Sequence, residues 1–190
     1  MPAYEPSGET VTRTFRVKKD WDEIIKEEAQ WQGISVSALL NLIVRRYIVS
    51  QRFLDRSPTI TVQNKEIDLL LKKLSENDIE EAGMDSGLLL PEEALLSRGF
   101  PLNFESLAWL IEEICGRYNG WFKVDHYVTD QRYLFHLRHN ISKKWSIYVG
   151  SFISSMFKSL LDIDIDPEIR EDSVTIYIPI KEIELSKQEK

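Results

Sequence analysis

The sequence predicts an α+β protein in two parts, a small strand–helix–helix unit followed by a larger α+β domain. Residues 11–18 alternate between apolar and polar side chains, as strands do, and two stretches with helical periodicity follow them. Ser57-Pro58 then interrupts the helical pattern and marks a domain boundary. Beyond it, strand-like and helix-like segments alternate up to residue 180.

Charge separates the two parts. The chain carries a net charge of −7, but residues 1–56 hold nine Lys and Arg against eight Asp and Glu. Residues 57–190 therefore keep fifteen basic against twenty-three acidic side chains, a balance of −8. Because the acidity belongs to the second part, a nucleic-acid contact in the first part needs only a local cluster of cations.

Cysteine content and hydropathy indicate a cytoplasmic protein. Cys115 is the single cysteine, so an internal disulfide is excluded. No apolar run reaches the roughly 18 residues that a membrane-spanning helix needs. Residues 1–10 are rich in Pro, Gly, Ser and Glu and are expected to form a mobile arm.

The first unit, residues 11–56, is predicted as one strand and two helices. In the strand, Phe15 and Val17 share one face with Val11, while the other face is polar. A helix is predicted from about Lys19 to Gln32, with Gly33 ending it. Ser35 is a suitable N-cap for a second helix with a long apolar stripe.

The second domain, residues 58–182, is predicted as a ferredoxin-like βαββαβ fold with a helical insertion, followed by a loose tail, 183–190. The predicted strands are 59–62, 121–128, 132–139 and 174–180, and the predicted helices are 65–75, a helix capped by Asn103, and 142–161. Residues 76–102 are expected to be an irregular acidic stretch, with at most a short helix at 91–96.

A strand followed by two amphipathic helices is too small to fold alone, because its strand has no pairing partner. Two copies solve this problem by pairing their strands antiparallel over four helices. The outer face of such a ribbon fits a DNA major groove. There an arginine binds guanine in a bidentate manner, and a threonine contacts a base edge or a thymine methyl group.

The segments TRTFRV and GISVSALLNLIVRRYI, with the helix between them, resemble the Arc/MetJ/CopG ribbon-helix-helix family over about residues 11–50. The resemblance implies a homodimer that binds double-stranded DNA, with assembly into higher oligomers left open. By position it implies base contacts from Thr12, Thr14 and Arg16. It also implies phosphate contacts at the start of the second helix, from Ser35, Val36 and Ser37, and Lys18 is expected to add another.

The architecture also resembles that of the nickel-responsive repressors, whose site contains a His-x-His pair followed by a cysteine. This chain has His126, His136, His139 and Cys115, without that spacing. The alternating aspartates at 162–166 lack the central Gly and the correctly placed Glu of a calcium loop. The sequence therefore predicts neither a metal site nor a cofactor.

A second basic cluster surrounds the predicted start of the helix at residue 142. Arg138, His139, Lys143 and Lys144 either bind an anionic effector or DNA phosphate, or form a solvated turn in an acidic neighbourhood. No Gly-rich phosphate loop and no Ser-His-Asp or Cys-His arrangement is evident, so the chain is not expected to be an enzyme.

Together these features predict a prokaryotic-type transcriptional regulator with a C-terminal sensing or oligomerisation domain. An alternative is an antitoxin or other interaction protein whose acidic second domain binds a protein partner. A DNA-architectural protein is the third possibility, and weak sequence preference with a steep salt dependence would distinguish it.

Overall fold

A computed structural model describes residues 10–56 and 59–186 of the chain. The chain divides into two compact units, Met1–Ile60 and Thr61–Lys190. The division falls beside the predicted break at Ser57-Pro58, which lies outside the described residues. Helices occur in both units, and the second unit contains a four-stranded antiparallel sheet. The predicted α+β class is therefore confirmed.

The described part of the first unit consists of helices preceded by an irregular segment. Its helices are α1 (Lys19–Gln32), α2 (Val36–Arg46), a π-helical continuation (Tyr47–Gln51) and α3 (Arg52–Leu54). The bounds of α1 coincide with the prediction. Gly33 ends α1 in the left-handed conformation at φ 69°, where the absence of a side chain removes the steric penalty. The next residue, Ile34, donates its N–H to the carbonyl of Ala29 at 3.0 Å.

Residues 10–18 have no regular secondary structure and are exposed. A single copy of the chain offers no neighbouring strand to this segment, so the ribbon between two subunits stays a prediction. The expected mobile arm lies, except for Thr10, outside the described residues.

The second unit places its helices before, between and after the strands. Its elements are α4 (Asn64–Leu71), α5 (Glu76–Leu96), α6 (Phe104–Trp109) with a π-helical continuation (Leu110–Tyr118), β1 (Lys123–Val128), β2 (Arg132–Arg138), α7 (Lys143–Leu161), β3 (Glu168–Ile169), β4 (Ser173–Pro179) and α8 (Ile180–Ser186). Asn103 caps α6 as expected, accepting the N–H of Ser106 at 2.9 Å.

The sheet has the strand order β1-β2-β4-β3, and every neighbouring pair is antiparallel. In the register of β2 and β4, Phe135 lies opposite Ile176 and Leu137 opposite Val174. These four side chains are fully buried. Helix α7, which contacts β3 and β4, contributes further buried residues, including Phe157. The core of the second unit therefore lies between this sheet face and α7.

The ferredoxin-like fold is not confirmed in the described residues. Thr59–Val62, the predicted first strand, forms no strand, and Ile60 is 88% exposed. The observed order around the sheet is β1-β2-α7-β3-β4 rather than the predicted βαββαβ. The four-residue alternation at 59–62 was misleading because it is too short to bury a hydrophobic face.

The prediction of an irregular stretch at 76–102 is also wrong, since α5 is a helix of 21 residues. Ser75 and Asp78 form a reciprocal capping box at its start. Its buried stripe recurs at every fourth residue: Ile79, Gly83, Gly87, Pro91 and Leu95. A Cβ atom added to Gly83 would lie 2.6 Å from the carbonyl oxygen of Tyr148 in α7. The glycines are therefore required by close approach of two helix backbones, which outweighs their low helix propensity.

The end of the second domain extends beyond the predicted boundary at 182. Helix α8 runs to Ser186, and its Ile183 is buried. Residues 183–186 are thus helical, contrary to the loose tail expected there. Residues 187–190 lie outside the described part of the chain.

Candidate nucleic-acid interface

The side chains predicted to contact bases lie on the exposed segment before α1. Thr12, Thr14 and Arg16 are exposed, and among the described residues none of them has a hydrogen-bond or ion-pair partner. Alternation places them together on one side of an extended chain. Their polar groups are therefore available to an external ligand.

The start of α2 presents backbone N–H groups with no acidic side chain beside them. Ser35 is the N-cap, and its hydroxyl accepts the N–H of Ala38 at 3.1 Å. The N–H groups of Val36 and Ser37 belong to the first turn and have no acceptor within the helix. No acidic side chain occupies that turn. By contrast, the first turn of α1 contains Asp20 and Asp22. The positive end of the α2 dipole is thus left for an external charge such as a phosphate.

Lys18 lies between the exposed segment and α1. Its backbone is extended, with φ −64° and ψ 143°, and its ammonium lies 5.1 Å from the ring centroid of Trp21. A cation above an aromatic face keeps its full charge while the side chain is oriented. Lys19, in contrast, is paired with Glu23 at 3.8 Å. Of the two lysines, Lys18 is the better placed to contact a phosphate.

Charge within the first unit is divided between its elements. Residues 10–19 and 33–54 together contain seven Lys and Arg and no acidic residue. The five acidic residues between them all lie on α1, namely Asp20, Asp22, Glu23, Glu27 and Glu28. The surfaces predicted to contact DNA are therefore uniformly cationic. Sequence reasoning missed this division because it balanced charge over residues 1–56 as a whole.

The apolar side of the first unit is largely unburied in one copy of the chain. Val11 is 75% exposed and Phe15 is 68% exposed. Helix α2 and its continuation expose five further apolar side chains: Leu42, Ile43, Val44, Tyr47 and Ile48. Among the described residues of this unit, the buried hydrophobic side chains are Ala29, Leu39 and Val49. A helix that is apolar over most of its circumference is normally buried on all those sides.

The three cationic side chains of the second basic cluster are bound to other residues of the second unit. Arg138 binds Asp125 with two nitrogens, at 2.9 and 2.7 Å. Lys143 pairs with Glu76 at 3.2 Å. Lys144 donates to two carbonyls at the end of α4, that of its last residue, Leu71, at 3.1 Å and that of Leu74 at 2.5 Å.

His139 completes that cluster as a neutral side chain. Its Nδ1 accepts the N–H of Ile141 at 3.3 Å, and its Nε2 lies 2.8 Å from the hydroxyl of Ser146. Burial lowers the pKa of His139, against the raising effect of Asp172 and Glu171. The four residues are therefore fixed by structural contacts, and an effector site there stays a prediction without support from the geometry.

The histidines and the cysteine do not converge. His126 pairs with Glu112 at 2.7 Å, and His136 lies 3.0 Å from the hydroxyl of Thr175. Cys115 is buried, and burial raises the pKa of its thiol to about 12. Within residues 10–56 and 59–186, no three His, Cys, Asp or Glu side chains are arranged to hold a metal ion.

Comparison with known proteins gives no family: no family model, no curated protein and no solved structure matches this chain. In the described residues, no single helix is long and apolar enough to cross a membrane. Only α1 taken together with Val36–Leu54 meets that criterion, by length and composition alone, and the two are bent by 97°.

Proposed function

We propose that this chain is a sequence-specific DNA-binding transcription regulator of the ribbon-helix-helix kind, acting as a homodimer. The observation that carries the proposal is the exposed segment 11–18, in which one face carries Val11, Phe15 and Val17 together with Arg13 and the other face is entirely polar or cationic. A second copy of the segment supplies a pairing partner for the backbone and covers the apolar face. This pairing leaves the polar face exposed to an external ligand.

Unburied apolar surface supports the dimer. Burying a large aliphatic or aromatic side chain stabilises a protein by about 1.5–3 kcal/mol. Phe15 on the segment, and Ile43 and Tyr47 on α2 and its continuation, are each more than half exposed in the single chain. Pairing two segments 11–18 above four helices buries these side chains and satisfies the backbone groups of both segments.

The polar face then forms the DNA-reading surface. A two-stranded ribbon fits the major groove, and here it presents Thr12, Thr14 and Arg16. The arginine supplies a bidentate contact to guanine, and the threonines supply shorter contacts to base edges or thymine methyl groups. At its flanks, Lys18 and the free N–H groups at the start of α2 bind phosphates and fix the register.

The second unit, with a hydrophobic core of its own, takes the sensing or oligomerising role in this proposal. Its acidic balance of −8 repels a DNA backbone, which leaves DNA contact to the first unit. A body that folds independently of the DNA-binding unit is suited to carry an effector site or a second interface.

The proposal is tested by selecting bound sequences from random duplex DNA with the purified full chain. Arg16→Ala should weaken binding to the selected site by about 5- to 150-fold, equivalent to about 1–3 kcal/mol, and should relax the preference at one base pair. Arg13→Ala is the matched control, because it removes the same charge from the opposite side of the strand. It should retain the sequence preference.

Lys18→Ala supplies a second readout. It should weaken binding to all sequences alike and reduce the slope of log K against log salt by about one for each subunit. Absence of DNA binding at low salt, or an Arg16→Ala protein with unchanged affinity and preference, contradicts the proposal. In the first case the alternative of an interaction protein with an acidic binding domain takes its place.

A further inference from the structure

A groove of about 610 Å³ lies in the second unit, between α5, α7 and the chain that leads into β3. Glu80, Met84 and Leu88 form one wall from successive turns of α5. Serines of α7 form the floor, and residues 164–169 form the opposite wall. This volume is in the range of sites for small organic ligands.

Charge in the groove is negative. Glu80, Asp164 and Asp166 line it against a single cation, Lys158, which leaves two uncompensated negative charges. Lys158 is already engaged, because its ammonium lies 2.7 Å from an oxygen of Asp162 and 2.9 Å from one of Asp164. Glu80 and Asp166 are exposed and have no ion-pair partner among the described residues.

The floor contains a polar group that lacks a partner. The hydroxyl oxygen of Ser154 is buried and makes no hydrogen bond with the described residues, whereas the hydroxyl of neighbouring Ser155 donates to the carbonyl of Met84 at 2.7 Å. A buried hydroxyl without a partner costs about 1–3 kcal/mol, and rotation of the Ser154 side chain toward the groove lets a ligand satisfy it.

The rim is apolar and open. Leu88 is 54% exposed and Met84 is 44% exposed, and Ile169 faces the groove from β3. These side chains offer contact area to an apolar ligand body. A bare divalent ion is disfavoured, because no three carboxylates in residues 10–56 and 59–186 are arranged to coordinate one.

We propose that this groove binds an organic cation, an ammonium group carried on an apolar body. The ammonium lies toward Glu80 and Asp166 and donates a hydrogen bond to the hydroxyl of Ser154. The apolar body packs on Met84 and Leu88. The inference concerns the second unit alone and does not depend on DNA binding by the first.

Phenethylammonium is a suitable probe, with 2-phenylethanol as its neutral analogue and 3-phenylpropionate as its anionic one. Titration of the full chain, followed by amide chemical shifts, should give millimolar binding of the ammonium, as expected for so small a ligand. The perturbed amides should belong to residues 151–155 and 164–169. The alcohol should bind about tenfold more weakly, and the carboxylate should not bind.

Variants separate charge recognition from apolar contact. Glu80→Gln combined with Asp166→Asn should reduce the affinity for phenethylammonium by about tenfold, to that of the alcohol. Glu81→Gln, on the same helix but not lining the groove, should leave the affinity unchanged. Both altered positions are exposed, so the fold is expected to persist, and the unperturbed amide spectrum verifies this.

Any of four results would overturn the inference. The first is equal affinity for the ammonium and the alcohol. The second is unchanged affinity in the double variant, and the third is no binding of the ammonium at about 10 mM. The fourth is tighter binding of Ca²⁺ than of the ammonium at the same amides, which would assign the carboxylates to a metal instead.

Discussion

The two units differ in how completely one copy of the chain buries their apolar side chains. In the second unit, Phe135, Ile176 and Phe157 are fully buried between a sheet and a helix. In the first unit, Phe15 remains exposed, as do Leu42, Ile43 and Val44 of α2. The second unit therefore has a buried core in one copy of the chain, although its surface also exposes apolar residues such as Leu70 and Leu89, whereas the first unit has the composition of a fold that is completed by association.

The largest effect is expected from truncating the core of the second unit. Phe135→Ala should lower the free energy of unfolding of the second unit by about 3–5 kcal/mol, because the cavity cannot refill. Urea denaturation measures this loss, and it should not depend on protein concentration. Phe15→Ala in the first unit is the comparison, and in dilute solution it should change stability by less than about 0.5 kcal/mol. A large loss of stability in Phe15→Ala at low protein concentration would show that Phe15 is already packed in the single chain, contrary to the comparison of the two units.

Overpacking the contact of α5 with α7 should have the next largest effect. A Cβ atom on Gly87 would meet the carbonyl group of Phe152, and backbone cannot rotate away as a side chain can. Gly87→Ala should therefore destabilise the second unit by about 1–3 kcal/mol in urea denaturation, despite the better helix propensity of alanine. Glu92→Ala, at an exposed position of the same helix, is the control and should change stability by less than about 0.5 kcal/mol. A stabilised Gly87→Ala protein would show that the helices are not in close contact.

Protein concentration provides a test without mutation. If the first unit folds by dimerisation, a tenfold increase in concentration should stabilise it by about 1.4 kcal/mol, while the second unit should not respond. Hydrogen exchange resolved by peptide measures both units in one sample. Slower exchange of α2 peptides at high concentration, with unchanged exchange of α7 peptides, is the expected result. Equal responses from both units would contradict the comparison.

The smallest effect concerns pH. Burial lowers the pKa of His139 from its ordinary value of 6.5, so the folded protein binds fewer protons at this residue than the unfolded chain. The stability that neutral His139 contributes is fully present above pH 6.5. It is lost as the pH falls toward the pKa that His139 has in the folded protein. The free energy of unfolding of the second unit should therefore decrease in that window. His139→Gln should remove the contribution of His139 to the slope of the unfolding free energy against pH. An unchanged slope would show that His139 is not the group responsible.

Much of the fold could be predicted because local signals decide it. Gly33 and Ser35 set the end of α1 and the start of α2, and both act through their own backbone or side chain. Helix α7 begins one residue after the position expected. Helix α5 could not be recognised, because Gly83, Gly87 and Pro91 are unfavourable in an isolated helix. Their value appears only when α7 lies against them, and that is a tertiary property.

The candidate interface and the groove divide in the same way, into features set by the local sequence and features set by tertiary contacts. The chemistry of Thr12, Thr14 and Arg16 could be inferred from alternation, since parity alone groups them. The groove beside α5 could not be inferred, because its walls come from segments more than sixty residues apart, exemplified by Glu80 and Ser154. The sequence did not predict a calcium loop at Asp162 and Asp164, and in the structure both carboxylates bind Lys158.

The glycines of α5 have a further consequence for how substitutions can modify the groove. Because Gly83 and Gly87 bring two helix backbones together, main chain rather than side chains sets the distance between the α5 wall and the α7 floor. Replacing Glu80, Met84 or Leu88 would then change the chemistry of that wall without changing its distance from the floor. The residues that set the helix spacing are thus separate from those that line the groove. This separation makes the groove a starting point for engineered recognition.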